Sequence, residues 1–290
     1  MSDSDQIQRI LFDELDVRGV LTGLDSAYND ALAKHDYPPV IRRILGEMMA
    51  AAAILSANLK FEGRLILQAQ GNGGIQALMA ECTDKQELRA IARFDGDIDE
   101  NISFTELMQG GALAITIDPA QGHRYQGYVP LEGDTLSDCL EAYFRYSEQL
   151  DSQLHLACDG EKAVGFLLQV LPADGGVVED WQHISQLGAT LKQEELLELD
   201  NQTLLYRLFH DDNCRLHEPS PVVFRCDCSR DRTAQSLRFM TEEELHEIVA
   251  AEGVVEVACQ FCNTHYRFDD ADITAMFSVT GYAPGSDATH

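Results

Sequence analysis

The sequence predicts an α+β protein with an N-terminal β-meander/helix domain, a helical linker segment and a small C-terminal domain organised by four cysteines. Three observations carry this prediction. Strand-like runs follow one another between residues 64 and 129 instead of alternating with helices, as they would in a wound parallel sheet. Apolar residues recur at helical spacing from Trp181 to Phe209, with acidic residues between them. Four of the eight cysteines fall in the last 65 residues as two close pairs. The length of 290 residues suits such a division, at roughly 150 residues per domain.

Taken in order, residues 24–59 read as helical. A second helix in that stretch starts at Asp36-Tyr37-Pro38-Pro39, since proline is tolerated in a first turn, and runs into the alanine-rich residues 48–59. Arg42, Arg43 and Glu47 exclude a membrane span there. A meander follows: residues 64–69 form a strand, Gly71-Asn72-Gly73-Gly74 turns, and residues 75–82 return. Residues 88–94, 112–117 and 124–129 add strands, with Asp118-Pro119-Ala120-Gln121-Gly122 as a hairpin loop. Residues 134–149 read as a helix with Leu136, Cys139, Leu140 and Tyr143 on one face. A last strand, 163–171, ends at Pro172-Ala173-Asp174-Gly175-Gly176, which places the first domain at 1–175.

Residues 176–225 are expected to be an amphipathic, metastable linker. Trp181, Ile184, Leu187, Leu191, Leu196, Leu197, Leu204, Leu205, Leu208 and Phe209 form stripes that the segment cannot bury alone, so it must lie on something else. A stable helical subdomain of the N-terminal core reads the same periodicity equally well. Glu218-Pro219-Ser220-Pro221 then leads into a short strand, Val222-Val223-Phe224, that delivers Cys226. In the third domain, 226–290, Ser229 caps a short helix and Thr241-Glu242-Glu243-Glu244 is a capping box opening a second, which Gly253 closes. Residues 254–258 and 265–268 are partner strands about a turn at 259–263, and Asp269-Asp270-Ala271-Asp272 begins a terminal helix.

Composition narrows the function. Lys and Arg number 21 against 49 Asp and Glu, a formal net charge of −28, which argues against gripping nucleic-acid phosphates or an anionic membrane. Hydrophobic residues make up 45%, enough for a real core. No apolar run approaches the ~20 residues that span a bilayer, and Met1-Ser2-Asp3-Ser4-Asp5 lacks the basic and apolar regions of a signal peptide. The expectation is a soluble cytoplasmic protein.

In a reducing cytosol, paired cysteines read as metal or redox chemistry rather than a disulfide framework. Cys226, Cys228, Cys259 and Cys262, delivered two by two, suit one tetrahedral Zn²⁺ per chain. A knuckle of the Cys-x-x-Cys kind needs a left-handed residue after its second Cys, and Asn263, at that position, is the best substitute for glycine. About 65 residues hold little core of their own, so the metal is expected to organise this domain. The single residue between Cys226 and Cys228 is tighter than usual zinc spacing, and it also brings the two sulfurs near enough for a strained, labile disulfide; Cys259 and Cys262 can do likewise. Each half thus has two fates, thiolate or disulfide, and loss of the metal converts oxidation into local unfolding. A permanent zinc ribbon fits the same spacing. The scattered Cys82, Cys139, Cys158 and Cys214 read as buried and inert.

Other chemistry is weak. Gly71-Asn72-Gly73-Gly74 is a turn rather than a phosphate cradle, and His246-Glu247-Ile248-Val249-Ala250 lacks the second histidine of a zinc protease. His265 lies close enough to ligate, but four thiols already fill a tetrahedron. A thiol oxidoreductase would open a helix with its Cys-x-x-Cys, whereas here Thr264-His265-Tyr266-Arg267-Phe268 continues as a strand. Catalysis is disfavoured.

Cys226-Asp227-Cys228-Ser229-Arg230 with Cys259-Gln260-Phe261-Cys262-Asn263-Thr264-His265-Tyr266 resembles the C-terminal signature of the heat shock protein 33 family, redox-regulated bacterial holdase chaperones. Asp16-Val17-Arg18-Gly19, His35-Asp36-Tyr37-Pro38, Arg124-Tyr125-Gln126-Gly127 and Leu131-Glu132-Gly133-Asp134-Thr135-Leu136 are similar to that family too, as are Ser147-Glu148-Gln149-Leu150 and Glu194-Glu195-Leu196-Leu197. The resemblance covers essentially the whole chain. It implies a chaperone without ATP requirement whose four C-terminal cysteines hold zinc at rest. Oxidant would join Cys259 to Cys262 and Cys226 to Cys228 and release zinc, and residues 176–225 would lose their fold. The protein would then dimerise and hold unfolding clients until ATP-dependent refolding chaperones take them. Residue chemistry alone reaches the switchable site beside a marginal segment; client holding comes from the resemblance.

Overall fold

The computed structural model describes residues 4–13, 15–57, 62–171 and 178–278. The chain divides into two compact units, Met1–Arg225 and Cys226–His290.

In the first unit, β1 (Gln6–Phe12) and β2 (Val17–Leu24) lead into α1 (Ser26–Leu32) and α2 (Pro39–Ser56). Next come β3 (Gly63–Gln70), β4 (Ile75–Thr83) and β5 (Glu87–Phe94), the single turn α3 (Phe104–Leu107), and a hairpin of β6 (Ala112–Pro119) and β7 (Tyr125–Pro130). Helix α4 (Leu136–Tyr143) continues through one wider turn at 144–148, which Gln149 stops with φ 55°. Strands β8 (Ser152–Cys158) and β9 (Ala163–Val170) precede α5 (Val178–Gly188), α6 (Gln193–Glu198) and α7 (Asn201–Phe209). Three short strands, β10 (Cys214–Leu216), β11 (Ser220–Pro221) and β12 (Val223–Phe224), end the unit.

The strands form two sheets. One has the order β10-β1-β2-β9-β8 with β11 also on β1; the other runs β12-β5-β4-β3-β6-β7. Pairing is antiparallel except where β12 lies parallel to β5. Helix α2 lies between the sheets, packing on β3, β4 and β5 of one and on β2, β8 and β9 of the other. Ala50, Ala51, Ala52 and Ala53 are all fully buried, because small side chains let both sheets approach the helix axis. Gly46 serves the same closeness: a Cβ there would lie 2.5 Å from Cys158 Sγ.

Helices α5–α7 cover the opposite face of the first sheet. Ile184, Leu191, Leu196, Leu204, Leu205, Leu208 and Phe209 are buried there with Ile10, Phe12, Val17, Leu21, Phe166 and Leu168. The apolar stripes of the linker thus find the surface they require, each side chain contributing roughly 1.5–3 kcal/mol of gross burial. Asp200 caps α7 by accepting from the Thr203 amide, and Asn201 donates to Gln8 Oε1 at 2.7 Å.

The α+β class stands. The stretch expected to be helical from Leu24 holds two helices, the second starting at the proline pair as expected, but Leu24 itself closes β2. The helix expected over 134–149 is regular only to Tyr143. Leu59 and the Pro/Gly turn at 172–176 lie outside the described residues. No helix among the described residues is long and apolar enough to cross a membrane.

In the second unit, α8 (Arg230–Leu237) and α9 (Glu242–Glu252) precede the hairpin of β13 (Val255–Ala258) and β14 (His265–Phe268), and α10 (Asp270–Ser278) follows. Ser229 caps α8, Thr241 and Glu244 complete a capping box, and Gly253 ends α9 at φ 84°. Among the described residues, Leu237, Leu245, Val255, Phe268, Ile273 and Met276 are its buried core. That is a small core for an independent fold.

Candidate metal centre

Cys226 and Cys228 lie on the extended segment before α8, and Cys259 and Cys262 on the turn between β13 and β14. The turn is held across its base: the Cys259 amide donates to Thr264 O at 2.9 Å and the Asn263 amide to Cys259 O at 2.8 Å. Asn263 adopts φ 55°, the left-handed conformation its position demands.

These two segments bring all four sulfurs within 4.8 Å of one another. Cys226 Sγ lies 3.7 Å from Cys259 Sγ and Cys228 Sγ 3.3 Å from Cys262 Sγ. A tetrahedral ion with metal–sulfur bonds of about 2.3 Å needs sulfurs about 3.8 Å apart. Spacing, ligand number and softness of the donors therefore fit a tetrahedral thiophilic ion. With all four sulfurs within 4.8 Å of one another, proximity alone selects no disulfide pairing.

Second contacts favour thiolate character. Tyr266 Oη donates to Cys228 Sγ at 3.1 Å, and Thr264 Oγ1 lies 3.2 Å from Cys262 Sγ. Burial pushes the Cys262 thiol up, but hydrogen bonds from the Thr264 side chain and backbone and from Cys228 and Cys226 outweigh it and bring the group to about 6. Burial raises Cys226 and Cys228. Arg232 braces the first pair by donating to Asp227 O at 3.0 Å. His265 pairs with Glu256 at 2.6 Å across the hairpin, which leaves the four thiols as the donor set.

All four predicted site residues are thus brought together. Sequence reasoning assigned no role to Tyr266 or Thr264. The available signal was position: both follow the knuckle within four residues, and on β14 Tyr266 alternates with the outward His265 and Arg267. The remaining cysteines are placed otherwise. Burial pushes Cys82 up to about 12 and raises Cys139, Cys158 and Cys214, although Cys214 is only half-buried.

Fold and site together define a two-unit protein whose small unit gathers four thiols that could hold a metal ion. A family model described as Hsp33 protein matches residues 5–269. The 33 kDa chaperonin of Pseudomonas paraeruginosa is 45% identical over 296 residues, spanning 100% of this chain and 99% of that protein. The 33 kDa chaperonin of Azotobacter vinelandii is 46% identical over 297 residues, with 100% of both covered. The crystal structure of a 33 kDa chaperonin, a heat shock protein 33 homolog, from Thermotoga maritima has the same fold, with TM-score 0.83 at 22% identity over 94% of this chain and 97% of that one. The chain belongs to the Hsp33 family.

Proposed function

We propose that this Hsp33-family chain is a redox-regulated, ATP-independent holdase chaperone of the cytoplasm, and not an enzyme. The observation that carries the reading is the convergence of four thiols within 4.8 Å in a unit whose described residues bury a small core. Bound zinc would supply a charge that keeps all four sulfurs as thiolates and ties the segment at Cys226 to the hairpin at Cys259. Tyr266 and Thr264 hold protons against Cys228 and Cys262 sulfur, which limits their basicity without covering them.

Under peroxide, Cys259 joins Cys262 and Cys226 joins Cys228. Each new S–S bond gives two electrons to one peroxide, whose O–O bond breaks and whose oxygens take two protons from solvent to leave two waters. With its ligands consumed the small unit loses its organiser, and residues 176–225, the metastable linker between a 1–175 core and the 226–290 switch domain, leave the sheet. The oxidised chain dimerises, holds unfolding clients on exposed apolar surface, and passes them to ATP-dependent refolding chaperones. A net charge of −28 supports the role, since self-repulsion keeps client complexes dispersed.

The test follows zinc release with a chromogenic chelator during warm peroxide treatment, alongside light scattering from an aggregating client. Zinc release with suppression of scattering, both reversed by dithiothreitol, is the expected result. Zinc that stays bound, or leaves without any holding, makes the metal merely structural.

A further inference from the structure

The chain that leads into Cys226 closes an edge of each sheet. Residues 214–225 form a strap whose β10 and β11 pair with β1, next to the edge of the first sheet, while β12 pairs with β5, next to the edge of the second, so that the strap itself supplies both edges. The hold is largely main-chain. The His217 amide donates to Arg9 O and the Asp13 amide to Asn213 O, both at 2.9 Å; the Val223 and Arg225 amides donate to Gln86 O and Leu88 O, both at 3.0 Å. The paired stretches are only three, two and two residues long, so few bonds retain each. Side chains add small apolar anchors: Val222 is buried and Phe224 packs on the same core, while Leu216 packs on the core beneath α5–α7. The ion pairs Arg215–Asp13 and Arg225–Glu87 are exposed and screened.

Removal of this strap uncovers β1 and β5 as unpaired edges, each with a row of unsatisfied N–H and C=O groups and an emptied apolar site. Such an edge accepts any extended chain that lacks proline where its amide must donate to the edge, with a preference for apolar side chains at alternate positions. An unfolding protein supplies that chemistry: extended backbone with free amides and exposed apolar residues. We propose that the β1 and β5 edges are where the protein holds its clients, each client segment adding as a strand in the place of the strap. This rests on the preceding reading, in which the segment containing the strap leaves the sheet on oxidation.

Alternation makes the idea testable at one residue. The bonds at Arg9 and Asp13 direct the main-chain groups of odd-numbered β1 residues toward the strap, so the Leu11 amide, opposite Arg215, faces it rather than β2. Leu11→Pro therefore removes an edge donor while leaving the β1–β2 ladder intact.

The experiment is amide hydrogen exchange on the full-length chain in three states: reduced with zinc, oxidised, and oxidised in a gel-filtered complex with heat-denatured citrate synthase. Exchange in residues 5–13 and 86–89 is expected to quicken about tenfold on oxidation and to slow by as much in the complex, about one backbone hydrogen bond's worth. In Leu11→Pro the client-dependent slowing is expected to vanish at 5–13 and persist at 86–89. A client complex in which both edges stay fast overturns the edge assignment and leaves the holdase reading standing. Edges that never open on oxidation, or that close again without client through pairing with a second copy, also overturn it. Failure of any client complex to form sinks both readings.

Discussion

Phe209→Ala should activate the protein without oxidant. Phe209 is 1% exposed and stands edge-on to Phe12 at 5.2 Å and near Phe166 at 6.4 Å, so it anchors α7 to both β1 and β9. Truncating a buried phenylalanine costs about 3–5 kcal/mol, the lost transfer energy plus the cavity. At a factor of ten per 1.4 kcal/mol, the docked state of α5–α7 weakens by roughly 10²- to 10³-fold or more. Tyr206 sits on the same helix at 72% exposure, and Tyr206→Ala should shift docking by under about 0.5 kcal/mol. The assay is amide exchange over residues 193–216 in reduced, zinc-loaded protein, paired with client light scattering. The expected outcome is fast exchange and partial holding with zinc still bound. Unchanged protection of 193–216 in Phe209→Ala, with Tyr206→Ala as its match, would refute the argument that this buried face holds the linker down.

Further outcomes follow from the site and the core. Cys262→Ser should empty the centre of metal and cost most of the helical signal of α8–α10, because the apolar core among the unit's described residues is small; elemental analysis and circular dichroism read both. Asn263→Val should cost about 1–2 kcal/mol of knuckle stability, since a β-branched residue resists φ 55°, and zinc affinity by chelator competition should fall about tenfold or more. Glu47 is raised to about 7 by burial, with Arg43 opposing, so the folded state binds a proton that the unfolded state releases between about 4.5 and 7. Its contribution therefore worsens as pH rises through that window, and Glu47→Gln should raise the Tm at pH 8 but not at pH 4.

What could be read in advance depended on how local the determining forces were. The hairpin β13–β14, the caps at Ser229 and Thr241 and the left-handed Asn263 all follow from neighbours a few residues apart, and all appear in the structure. Strands β1, β2 and β8 were not legible. In β2, the run Val17-Arg18-Gly19-Val20-Leu21-Thr22-Gly23-Leu24 is covered by α2 on one face and by α5–α7 on the other, so no two-residue alternation survives. Its partner is β9, with Val17 opposite Val170, and pairing across such a separation leaves no local trace. The expected meander, β3 to β7, does form one sheet, in the order β5-β4-β3-β6-β7, but its last-strand companion β9 belongs to the other sheet. At the site the ligands were legible because thiols announce their chemistry, whereas Tyr266 and Thr264 act only through where a hairpin turns them.

The first sheet serves two cores that share no side chains. Ile7, Val20, Leu24 and Leu167 point toward α2, while Ile10, Leu21, Phe166 and Leu168 point toward α5–α7. Stripping one coat from such a sheet leaves the other bonded, as removing a veneer leaves the panel standing. The α2 side, sealed around four alanines, has no slack to rearrange when its neighbour departs. Were the α5–α7 layer to leave as proposed, the remaining layers would stay as the template on which it is rebuilt.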